Sequence, residues 1–146
     1  MDMICTDKVF GEMKYNRRWF KDEYLSIFNK EYSIKIVAKA YSGKAITEQQ
    51  RDSYSVFKAN QDNYLKKIAD LMLAYVNDNA ESLSSIWSGA IKITTPNELS
   101  TIVKPTSLLI KQDGTTILLF DCQWDEHGVG VQVLPDFEIG SQDMFL

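Results

Sequence analysis

The last 35 residues of the chain, Gln112 to Leu146, contain no lysine and no arginine. They contain seven acids: Asp113, Asp121, Asp125, Glu126, Asp136, Glu138 and Asp143. With a formal total of −4, the first 111 residues carry +3 and this tail −7. Other scarcities narrow the field further. Two cysteines, Cys5 and Cys122, and one histidine, His127, are too few for a disulfide framework or a structural zinc site. The single histidine also excludes the two-histidine zinc motif. No Gly-x-Ser-x-Gly elbow is present, and Ser42-Gly43-Lys44 is a single-glycine turn rather than a phosphate loop. A sequence pI near 5.0 argues against direct binding to nucleic acid, whose phosphates the tail would repel. No apolar run approaches the length of a membrane span, and the N-terminus has no basic region leading into one. The expectation is a cytosolic protein with reduced thiols and no cofactor or metal.

What is there reads as a single α+β domain over residues 1–146, with 45% hydrophobic residues to build its core. Tyr32, Ile34, Ile36, Ala38 and Ala40 alternate with Ser33, Lys35, Val37, Lys39 and Tyr41, the period of a half-buried strand. Asn29-Lys30-Glu31 precedes it, so a hairpin with Tyr24–Phe28 is expected. Val9–Tyr15 and Arg18–Phe20, linked by Asn16-Arg17, extend this to an N-terminal antiparallel meander. One long central helix follows. Thr47 and Gln50 form a capping box. Tyr54, Phe57, Gln61, Tyr64, Leu65, Ile68, Leu71, Met72, Tyr75 and Val76 then recur at helical spacing as far as Asn77-Asp78-Asn79. A bend near Asn60 to Asn63 is compatible with that length. Glu81–Trp87 reads as a short helix or a loop packing Trp87. Thr95-Pro96-Asn97-Glu98 opens a short helix, with Leu99, Ile102 and Val103 on one face and Pro105 as its stop. C-terminal antiparallel strands, Thr106–Lys111, Thr115–Cys122 and Val129–Leu134, complete the chain, the first two joined through Asp113-Gly114.

Two constellations bear on function. Asp121, Asp125, Glu126 and His127 are the residue types of a hard-cation or acid–base site, so a metal-assisted hydrolase is one alternative. A structural loop accounts for the same segment, because Asp and Gly favour turns and Gly128 and Gly130 suit a bulge. No catalytic residue is assigned. The other constellation is the acidic tail itself. Acids without a compensating base suit a basic protein partner. Trp124, Asp125, Glu126, Asp136, Phe137, Glu138 and Asp143 are the candidate partner-binding residues, with Trp124 or Phe137 as apolar anchor. Should the tail not serve, the basic, aromatic stretch Lys14–Lys21 is the other candidate surface.

A set of motifs also resembles a known family. Phe10-Gly11, Trp19, Ile46-Thr47-x-x-Gln50-x-x-x-Tyr54-x-x-Phe57, Lys104-Pro105-Thr106, Asp113-Gly114, Asp121-x-x-Trp124-Asp125, His127-Gly128-x-Gly130-Val131 and Gly140-x-Gln142-Asp143 are similar to a group of small bacterial domains. Members often sit beside polymorphic toxins, and within toxin systems the resemblance points first to contact-dependent growth inhibition. The resemblance implies an immunity protein that binds and neutralises a cognate toxin domain, for instance a nuclease. It brings no catalytic residues. A protein-interaction domain with no toxin partner is a further alternative, since one scaffold can host several functions.

Overall fold

The computed structural model describes residues 3–15, 18–40, 44–78, 95–122 and 125–145. Asn16-Arg17, the segment Glu81–Trp87 and Trp124 lie outside the described residues. Four antiparallel strands come first: β1 (Met3–Asp7), β2 (Gly11–Tyr15), β3 (Trp19–Ile27) and β4 (Lys30–Ala38). Two helices follow, α1 (Glu48–Ala59) and α2 (Gln61–Asp78), and later a 3-10 turn over Pro96–Thr101. Four more antiparallel strands complete the order: β5 (Val103–Ile110), β6 (Thr116–Cys122), β7 (Asp125–Leu134) and β8 (Glu138–Ser141). A second 3-10 turn, Gln142–Met144, ends the described chain.

The expected architecture of separate N- and C-terminal antiparallel strand sets around one long helix is not what forms. All eight described strands make one mixed sheet in the order β1 to β8, joined at its middle by a parallel β4–β5 pair. The reason lies in the connection. Parallel neighbours need a long crossover, and the helical segment between β4 and β5 provides it. The expected Thr47–Asn77 helix is also two helices, divided at Asn60. Asn60 leaves helical geometry at φ −117°, and its side-chain amide donates to the Val56 carbonyl at 2.9 Å. A short amide that bonds its own helix competes with the backbone ladder. The second expected helix is only a 3-10 turn that ends at Thr101. Pro105 is not its stop but lies inside β5, beside the bulge that separates Pro105 from Ser107, one of the few places a sheet accepts proline. Neither β1 nor β8 was expected.

The stripe on the helices is the core. Tyr54, Phe57, Leu65, Ile68, Met72 and Val76 are buried, and Tyr64, Leu71 and Tyr75 pack half-buried against them. They meet Tyr32, Ile34, Ile36 and Ala38 of β4 and Leu108, Ile110, Leu118 and Phe120 of the C-terminal strands. Gln50 joins helix to sheet. It is fully buried, completes the Thr47 capping box, and its side-chain nitrogen donates to the Lys39 and Ile110 carbonyls at 2.7 and 3.1 Å. Those two carbonyls sit where the parallel strands end, so one residue satisfies the helix start and the central strand pair together.

Opposite the helices, the sheet has an outer face. One register row crosses all eight strands: Ile4, Lys14, Phe20, Val37, Leu109, Ile117, Gln132 and Glu138. Its middle forms a small second cluster with Leu119, and Phe145 is part of it.

Candidate functional site

The acidic tail folds into β6, the β7–β8 hairpin and the final 3-10 turn. Each acid of this region whose side chain is described is exposed: Asp113, Asp121, Asp136, Glu138 and Asp143. Asp113 is the exception in purpose. Its carboxylate accepts from the Thr115 amide at 2.9 Å, and that bond holds its pKa below the ordinary range while fixing the β5–β6 turn.

The hairpin register separates the expected binding residues into two groups. Val129 pairs with Ser141 and Gln132 with Glu138. Asp136, Phe137 and Glu138 therefore lie at one end of the hairpin. Asp125 and Glu126 open β7 at the other end, toward which the turn carrying Asp143 also lies. At about 3.3 Å per residue, the length of β7 sets the two ends roughly 30 Å apart. Backbone placement is all that is described for Asp125, Glu126 and His127.

The Asp136–Glu138 end is built from below by α2. Phe137 is half-buried, with its ring edge-on to Tyr64 at 5.5 Å and the Lys67 ammonium 4.2 Å from its centroid. Tyr64 and Lys67 are one helical turn apart and so share a face. Gln132 donates its side-chain amide to the Asp136 carbonyl at 3.0 Å and fixes the turn. The sequence reading missed Lys67. Its spacing from Tyr64 is the only signal for it, and nothing in the sequence shows that Phe137 lies above.

At the far end, glycines explain much of the motif. Gly128 has φ +80°, and a Cβ there would collide with the Phe120 carbonyl and come within 2.8 Å of the Gln142 side chain. It lies in the irregular stretch where Asp121 faces β7. Gly130 needs no unusual φ; a Cβ there would stand 2.6 Å from the Phe145 ring. A Cβ on Gly140 would meet the Met144 sulfur at 2.7 Å. The Gly-x-Gly and Gly-x-Gln-Asp motifs thus hold the chain end against the outer face of β7 and β8, which is a packing role.

For the hydrolase alternative, Asp121 is exposed at the end of β6, and β7 brings Asp125 opposite Cys122. Among the described residues no group of three or more His, Cys, Asp or Glu is placed to hold a metal ion. Among them, too, no helix is long and apolar enough to cross a membrane.

A family model covers nearly all of this architecture. The chain belongs to the DUF6985 family, a family of domains of unknown function. The match takes in residues 9–146, from the β1–β2 turn to the chain end, and leaves β1 outside. No curated protein and no solved structure matches the chain.

Proposed function

We propose that this domain acts in the bacterial cytosol as an immunity protein, binding a basic toxin domain through its acidic C-terminal hairpin and blocking it without turnover. The observation that carries the reading is the charge segregation: five described acids of residues 113–143 are exposed, and no lysine or arginine occurs anywhere in Gln112–Leu146. Self-repulsion makes such an arrangement costly for the fold alone, whereas it accelerates encounter with a basic surface. A nuclease must present a basic face to phosphate, and occupying that face stops it without contact to its catalytic groups. The Asp136–Glu138 end is the better centre for the contact. There the half-buried Phe137 ring follows Asp136 and precedes Glu138, held by Tyr64 and the Lys67 ammonium, an aromatic group within a charged rim.

Co-expression tests this directly. A toxin domain encoded beside this gene, produced with and without the protein in the same cells, should kill only in its absence. Equal killing in both cultures overturns the reading.

A further inference from the structure

We propose that β1 is a self-association edge, pairing antiparallel with β1 of a second copy so that two eight-stranded sheets become continuous. β1 and β8 are the two edges of the described sheet, and they differ. β8 is only four residues long, is entered through Pro135 and carries the exposed Glu138, all features that discourage strand addition. β1, Met3-Ile4-Cys5-Thr6-Asp7, has no proline, lysine or glycine, and Ile4 on it is 62% exposed. Ile4 also ends the outer-face row that runs on through Lys14 to Phe20, Val37, Leu109 and Ile117. An edge strand presents unpaired amides and carbonyls along its free side, and only another strand satisfies them in sequence.

The choice of a second copy rests on self-complementarity. Two identical strands pair antiparallel about a two-fold axis, each supplying the same surface. Full overlap of Met3–Asp7 centres that axis on Cys5 and sets Ile4 opposite Thr6 of the partner subunit. Neither side chain is charged, so no like charges meet. Asp7 introduces none either, because its carboxylate is buried on the amides of Val9 and Phe10 and on Arg51. The same full overlap along β8 would pair only four residues, through a strand entered by Pro135. Five residues of edge give a small interface, and the net charge of −4 opposes it. The dimer is therefore weak and strengthens with salt, opposite in sign to an acidic surface meeting a basic partner.

Sedimentation equilibrium on the reduced full-length protein, from micromolar to millimolar concentration and at two salt concentrations, is the test. Wild type should show a monomer–dimer equilibrium that tightens in high salt. The double variant Ile4→Lys/Thr6→Lys places lysines opposite each other and should be at least tenfold weaker. Ile4→Lys/Thr6→Glu places opposite charges in register and should restore the dimer. All four substituted positions across the axis are exposed on the monomer, and an unchanged melting temperature checks that each variant folds. A wild type that stays monomeric throughout, a lysine pair that dimerises like wild type, or a Lys/Glu variant no better than the lysine pair overturns the proposal.

Discussion

Residues 7–51 and residues 112–145 treat charge in opposite ways. In the first region acids and bases are joined: Asp7 and Glu48 to Arg51, Glu48 also to Lys8, Asp22 to Lys35 and Glu23 to Lys21. Most of these pairs are exposed and add little to stability. The exception is Asp7, whose side chain is 3% exposed and which binds two backbone amides together with Arg51 of α1. There the charge is structural, tying the β1–β2 turn to the helix. That turn also inserts Phe10, stacked on Tyr54 at 4.5 Å. In the second region glycines and apolar residues do most of the packing, Asp113 and Gln132 each fix a turn, and the described acids are exposed. The first region thus pairs its charges to hold the fold, and the second, the Asp113 turn apart, sets its described acids outward in a stretch without lysine or arginine.

The largest test of this contrast concerns the shared core. Ile68 is fully buried on α2, and Ile68→Asp places an unpaired carboxylate there. A cost of about 3–5 kcal/mol is expected, a large share of the stability of a typical domain, read by chemical denaturation. Next comes Gly128→Ala. Its positive φ and the Phe120 carbonyl leave no room for a methyl group, so a loss of about 2–4 kcal/mol is expected although the residue sits within the acidic region. A neutral outcome would mean that the far end of the hairpin is not held by packing.

Asp7 sharpens the other side of the comparison. Burial works against its charge, but the Phe10 and Val9 amides and the Arg51 guanidinium outweigh it and hold its pKa below the usual carboxylate value. With the folded pKa lowered, its stabilisation is complete above the unfolded value of about 3.9 and is lost as pH falls through the folded one. Asp7→Asn should therefore cost about 1–3 kcal/mol at neutral pH, and the gap from wild type should close below pH 4, as urea titrations across pH would record. The smallest effect on stability is expected for Asp136→Lys/Glu138→Lys, within about 0.5 kcal/mol of wild type, because both side chains are exposed.

Much of the first region is legible in the sequence, because its signals are local. The alternation from Tyr32 to Ala40 and the Thr47–Gln50 capping box each specify an element that forms, while the helix stripe marks the buried face but not the division into two helices at Asn60. Asp113-Gly114 does so for the β5–β6 turn. What escapes the sequence is long-range. Nothing near Lys35 or Ser107 announces that these residues pair in parallel, and Gln50 reads as a cap without revealing its bonds to Lys39 and Ile110. β1 and β8 are too short to display a period. At the candidate site the acids are evident from composition. Their division between the two ends of a hairpin, and the support of Phe137 by Tyr64 and Lys67, depend on register and tertiary packing.

The central claim is that the Asp136–Glu138 end of the acidic hairpin meets a basic partner. The most direct measurement is the association rate with the neighbouring toxin domain across a range of ionic strengths, for wild type and for Asp136→Lys/Glu138→Lys. Wild type should associate fast at low salt and slow steeply as salt rises. The double reversal should associate at least about tenfold more slowly at low salt, with a flatter dependence, at unchanged stability. Equal rates and equal salt slopes for the two proteins would contradict the account and move the interface away from this hairpin end.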